Sequence, residues 1–163
     1  MYENLYKKIK KSKGEEKMIL YKDFEFDMAH KLSDYDGLCK NIHGHTYKLT
    51  LGIDIKELNK LDIGIDFKDV KKIYNEYIAS QIDHALWLKD DSTNRDIIRV
   101  IKAHGLKIIT TKFNPTAECM ALWIWKQLNQ HLQLYTITLF ETPTSRITIR
   151  RKDYDDLKCL IEE

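Results

Sequence analysis

Two stretches of this chain alternate apolar and polar residues, and that alternation limits the fold more than any other feature. From Met18 to His30, the residues Phe24, Phe26, Met28 and His30 alternate with Glu25, Asp27 and Ala29. From about His43 to Ile55, the residues His43, His45, Tyr47, Leu49, Leu51 and Ile53 share one face, while Thr46, Lys48, Thr50 and Asp54 take the other. A period of two puts successive side chains on opposite sides of a pleated strand, so each stretch predicts a strand with one buried face. The segment between them, KLSDYDGLCKN, returns the chain as a loop. His30 therefore ends one apolar face, and His43 and His45 begin the next.

The period then changes. Asp66 is positioned to cap a helix in which Phe67, Val70, Ile73, Tyr74, Tyr77 and Ile78 follow helical spacing to about Gln81. The stretch STNRDIIRVIKAHGLKIITT predicts a short helix ended by Gly105, followed by a brief strand. NPTAECMALWIWKQLNQHL predicts the second major helix, with Asn114 as cap and Pro115 in the first turn. Its inner stripe is Ala117, Met120, Ala121, Ile124 and Leu128. YTITLFE and SRITIRR predict two strands joined by a turn at 142–144, and DYDDLKCLIE predicts a terminal helix. The order hairpin, helices, hairpin predicts an α+β fold: an antiparallel four-stranded sheet with two main helices on one face. Such a sheet has two edges, which must be protected or paired with another subunit.

Length and composition fit one domain over 18–163, preceded by a lysine-rich tail over 1–17. The net charge of +2 is too small to argue for a nucleic-acid partner. The three cysteines, Cys39, Cys119 and Cys159, are odd in number and far apart, which predicts a reducing, cytoplasmic setting without disulfides. The longest apolar run, 120–125, is too short to span a bilayer, and the N-terminus lacks the apolar core of a signal peptide. The tail reads as a solvated segment or short frayed helix rather than a basic anchor.

Three histidines then stand together. His43 and His45 are two apart on one strand, so their imidazoles point the same way, and His30 lies on the partner strand. Gly44 leaves the intervening position without a side chain. Three neutral imidazoles converging from paired strands make a zinc site, whereas a lone HxH more often lies on a surface or in a core. Cys39, in the intervening loop, has two readings. As a fourth ligand it completes a closed Cys-His₃ structural site; left free, it is a thiol that a nearby cation activates. Chain length favours the open site, because a domain that builds a full hydrophobic core does not need a zinc clip.

Other groups are weaker on spacing alone. Asp83 and His84 are neighbours, and neighbouring side chains diverge in regular structure, so a capping aspartate and a surface histidine are the simpler reading. Glu141 closes the apolar face of Tyr135, Ile137 and Leu139, a costly place for a carboxylate without a partner. Glu118 sits in a first helical turn, where acids are stabilising anyway. His104 and His131 read as helix-surface residues, and Arg146 and Arg150 as a solvated strand face.

The stretches FEFDMAHKL, CKNIHGHTYKL, GIDFKDVK, IDHALWL, NPTAECMALWIW and FETPTSRITIR, in that order, resemble the 6-pyruvoyl-tetrahydropterin synthase and 6-carboxytetrahydropterin synthase family over residues 21–151. The resemblance implies a T-fold, or tunnelling fold, whose subunits join strand edges into an oligomeric barrel, a tetramer or hexamer. It implies zinc held by His30, His43 and His45, with Cys39 as general base and Asp83 and His84 as the partner acid/base pair. It makes Glu141 the anchor for the pterin ring, in active sites between subunits. The three residues between Cys39 and His43 resemble the bacterial 6-carboxytetrahydropterin synthases of queuosine and deazapurine biosynthesis. That branch implies conversion of 7,8-dihydroneopterin triphosphate to 6-carboxytetrahydropterin, acetaldehyde and triphosphate. The alternatives are the same fold making 6-pyruvoyltetrahydropterin, a noncatalytic module stapled by Cys-His₃ zinc, and a zinc hydrolase using Glu118 or Glu141 as base. The segment 92–111 reads as a variant connection that leaves the motifs intact.

Overall fold

A computed structural model describes residues 17–162, so the tail expected over 1–17 lies, apart from Lys17, outside the described residues. The two alternating stretches form β1 (Met18–His30) and β2 (His43–Ile55). They pair antiparallel along their whole length, from Met18 opposite Ile55 to His30 opposite His43. Helix α1 (Phe67–Tyr74) follows and runs on through a π-helical turn (Asn75–Ala79) and a last helical turn (Ser80–Ile82). Asp66 caps it as expected, accepting from the Lys68 amide at 2.8 Å. Next come β3 (Ala85–Lys89), α2 (Arg95–Ala103), β4 (Ile108–Thr111) and α3 (Ala117–Leu128). The chain closes with β5 (Leu134–Thr142), β6 (Ser145–Arg150), α4 (Arg151–Leu157) and a 3₁₀ turn (Lys158–Leu160).

The sheet corrects the four-stranded, wholly antiparallel expectation. It has six strands in the order β4-β3-β1-β2-β5-β6. β3 joins β1 in parallel over three residues, Met28–His30 against Ala85–Trp87, and β4 joins β3 in parallel. Parallel neighbours need a crossover, and α2 supplies it. β3 escaped detection because both of its faces are covered: Trp87 and Leu88 are consecutive and both buried. A doubly covered strand has no alternation to read.

The apolar faces of β1, β2 and β5 pack against the helices. Tyr47, Leu49, Leu51, Ile137 and Leu139 are fully buried there. Each such side chain contributes roughly 2 kcal/mol by leaving water. Most of the stripe expected on α3 is buried, namely Met120, Ala121, Ile124 and Leu128, but so are Leu122, Trp123 and Trp125. The reason is position: α3 touches β5 and β6 on one side and the π-helical turn and α4 on others. Trp123 packs edge-on to Trp87 of β3, and Trp125 stacks on Tyr154 of α4.

The start of α3 differs from expectation in a way that matters for the site. Thr116, not Asn114, is the N-cap, accepting from the Cys119 amide at 3.3 Å. Asn114 instead bonds both main-chain groups of Ser33, fastening the loop after β1. Pro115 therefore precedes the cap rather than filling the first turn. An extended residue before proline would suit an N-cap, so it is the bonds to Ser33 that take the Asn114 side chain away from the helix amides. His131 also differs: it lies in the turn after α3 and stacks on Tyr77 at 3.8 Å.

Candidate metal centre and active site

The β1–β2 register brings His30 directly opposite His43 and places His45 opposite Met28. One ring nitrogen from each of the three histidines lies within 4.8 Å of the others, the one group of this kind among the described residues. The hydrogen bonds behind the rings say how they can be used. His30 donates from Nδ1 to the Pro115 carbonyl at 2.8 Å, and His43 donates from Nδ1 to the Asn41 carbonyl at 2.9 Å. A carbonyl only accepts, so each Nδ1 carries a proton, and in the neutral ring each Nε2 is a bare lone pair. These two Nε2 atoms face each other at 3.1 Å. Facing lone pairs repel unless a cation lies between them. Two nitrogens about 2.0–2.1 Å from one tetrahedral ion would stand roughly 3.3 Å apart. The three histidines can therefore hold a metal.

His30 is buried, and burial pushes its imidazole below the ordinary histidine value. The Pro115 carbonyl and the Glu141 carboxylate oppose that shift, while His43 and His45 add to it. A ring kept neutral by burial is ready to ligate. Gly44 has the role expected of it, since a Cβ there would come within 3.1 Å of the Met28 carbonyl oxygen.

Cys39 sits in a 3₁₀ turn (Leu38–Lys40) and is half-buried. Its sulfur is not a member of the ligand group. It lines a cleft of about 280 Å³ together with His30, Thr116, Glu118, Glu141 and Arg146. Glu141 lies where the β5–β6 register shifts, between Phe140 and Thr142. Its Oε1 is 3.7 Å from Nε2 of His30, and its side chain is 31% exposed, so access to water answers how a carboxylate can close an apolar face. The sequence reading gave Glu118 a helix role, naming it as a site residue only in the hydrolase alternative, and missed Thr116. Their signal was weak, since a first-turn acid and a helix cap are common for helix reasons alone. Arg146, expected on a solvated face, is exposed, lies over the Phe140 ring and also reaches this cleft.

Asp83 and His84 do pair, against the reading favoured by spacing. His84 adopts a left-handed backbone, φ 59°, which costs a non-glycine residue about 1–2 kcal/mol. The kink folds the two side chains together, with His84 Nδ1 2.9 Å from Asp83 Oδ1. The same carboxylate oxygen accepts from the Asp27 amide at 3.1 Å, and the His84 amide donates to the Asp27 carbonyl at 2.7 Å. His84 lines a different cleft, of about 450 Å³, with Asp27, Ala29, Gly44, His45 and Thr46. Within one chain, then, Cys39 and Glu141 share the cleft beside His30, while the Asp83–His84 pair opens elsewhere.

The sequence model of 6-pyruvoyl tetrahydropterin synthase matches residues 19–152, a span that includes the three histidines and every residue of both clefts. The chain belongs to the 6-pyruvoyl tetrahydropterin synthase family. A 6-carboxy-5,6,7,8-tetrahydropterin synthase from Haemophilus influenzae is 39% identical over 131 residues, covering 76% of this chain and 92% of that protein. One from Rickettsia bellii is 30% identical over 132 residues, covering 77% and 94%. The structure of Caenorhabditis elegans 6-pyruvoyl tetrahydropterin synthase superposes with a TM-score of 0.60 over 82% of this chain and 95% of that one, at 21% identity. That likeness shows the fold: this synthase-family chain is a T-fold, here with six strands in the sheet.

Proposed function

We propose that the protein is a zinc-dependent 6-carboxytetrahydropterin synthase. It takes 7,8-dihydroneopterin triphosphate and water to 6-carboxy-5,6,7,8-tetrahydropterin, acetaldehyde and triphosphate, in queuosine or deazapurine biosynthesis. The carrying observation is three ligating histidines beside a thiol outside their ligand set, in a chain 39% identical to a 6-carboxytetrahydropterin synthase.

His30, His43 and His45 would hold the ion, an all-imidazole set that suits zinc. Bound zinc supplies Lewis-acid polarisation of side-chain oxygens on the substrate. Cys39, in the same cleft, removes a proton from the substrate side chain. His84 exchanges a proton through Nε2, because Asp83 holds its Nδ1–H. Glu141 accepts parallel N–H bonds from the edge of the pterin ring, and Glu118 offers a second carboxylate on the cleft wall. These groups orient the ring and shuttle protons while the side chain loses triphosphate and then a two-carbon fragment.

The two clefts of one chain are separate, so Cys39 of one subunit works with Asp83 and His84 of a neighbour in a homo-oligomer. Among the described residues, no strand pairs with residues 18–27 on the side away from β2, and β6 is the opposite edge of the sheet. These free edges suit joining of subunits into a barrel. No helix of the described residues is long and apolar enough to cross a membrane, and a cytoplasmic setting suits the free thiol. Incubation with dihydroneopterin triphosphate and mass spectrometry of the products tests the reading. Acetaldehyde with 6-carboxytetrahydropterin supports it, whereas 6-pyruvoyltetrahydropterin without acetaldehyde moves the protein to the other branch.

A further inference from the structure

We infer that Lys107 is a positioning residue for the Asp83–His84 pair. Its ammonium donates to the Asp83 carbonyl at 2.6 Å and to the Ala79 carbonyl at 3.2 Å. The first bond is the informative one. The peptide between Asp83 and His84 is one rigid plane, with the Asp83 carbonyl at one end and the His84 amide at the other. The amide end is fixed by the Asp27 carbonyl of β1 at 2.7 Å. Lys107 fixes the other end. With both ends tied, the plane cannot rotate, and its orientation sets the left-handed φ of 59° at His84. That φ is what folds the imidazole back onto its own neighbour, Nδ1 to Oδ1 at 2.9 Å. Without it, adjacent side chains diverge.

Lys107 reaches this place because of the segment between the family motifs. α2 ends at Ala103 with His104 as its cap, Gly105 takes a left-handed turn, and the chain enters β4 beside β3. The Leu86 amide donates to the Lys107 carbonyl at 3.1 Å, which anchors the lysine backbone next to the start of β3. Its side chain then extends back over the end of the α1 helical run. The segment 92–111, read from sequence as a variant connection that leaves the motifs intact, thus supplies part of the acid–base pair's support.

The inference rests on the reading of Asp83 and His84 as an acid–base pair. Its test uses the metal-loaded full chain in three forms: wild type, Lys107→Met and Lys107→Arg. In Lys107→Met, kcat should fall about 10- to 100-fold, the range for a displaced catalytic group, with KM and metal content unchanged. Lys107→Arg, which can still donate to two carbonyls, should recover most of the loss. Lys112→Met removes an ion pair with Asp90 just outside that segment and should leave kcat at the wild-type level. Nitrogen-15 spectra of the imidazoles give a readout independent of turnover. Wild-type His84, at a pH where its ring is neutral, should show the Nδ1–H form held by Asp83, and Lys107→Met should move it toward Nε2–H. Wild-type kcat and an unchanged His84 spectrum in Lys107→Met would overturn the inference and reduce Lys107 to a helix cap. A wild-type protein inactive on dihydroneopterin triphosphate would overturn the functional reading instead, and the spectra would still decide whether Lys107 orders His84.

Discussion

At the scale of single residues, the site divides into groups that hold a metal and groups that do not, and substitution should separate them. His45→Ala removes one of three imidazoles and should strip the ion. Cys39→Ala should keep the ion and lose turnover by about 10²–10⁴-fold, the usual worth of a positioned proton-transfer group. Metal content by elemental analysis, set beside initial rates for both variants, checks this. Metal loss in Cys39→Ala would support the closed Cys-His₃ site instead. The histidine group was legible in the sequence because strand alternation alone fixes which way His30, His43 and His45 point. The tautomers were not, because they depend on Pro115 and Asn41 carbonyls that no periodicity reveals. Spacing misled at Asp83 and His84, since a left-handed φ on a non-glycine residue has no sequence signature. Family resemblance carried that pair where local rules could not.

At the scale of elements, β1 and β2 were readable to the residue because each buries one face, so hydrophobicity and geometry share a period of two. β3 was unreadable for the opposite reason, and its omission made the sheet look four-stranded. The cap of α3 was misplaced by two residues because Asn114 and Thr116 are both good capping types, and only the distant Ser33 backbone, which takes the Asn114 side chain, separates them. The energetic consequence lies mainly in β2. Leu51 is fully buried and central to the sheet, with β1 on one side and β5 on the other. Leu51→Ala should cost about 2–5 kcal/mol in denaturant unfolding through lost burial and a cavity. Because Leu51 lies eight residues from His43 along a regular strand, metal content per folded subunit should not change.

At the scale of the whole molecule, the chain has two clefts and free strand edges, and the proposed assembly would join both. If Cys39 and the Asp83–His84 pair meet only across subunits, two dead variants should rescue each other. Cys39→Ala and Asp83→Asn homo-oligomers, mixed under dissociating conditions and reassembled, should regain up to about a quarter of wild-type activity, the share of sites that draw both intact halves at random. Sites built within one subunit would stay dead in every mixture. The central claim is that a histidine-held metal and an unligated thiol together convert a pterin triphosphate. Its most direct measurement follows the products of dihydroneopterin triphosphate before and after chelation, with zinc then restored. The account predicts 6-carboxytetrahydropterin and acetaldehyde from the loaded enzyme, neither after chelation, and both again once zinc returns. Full activity in protein shown to be free of metal would contradict it.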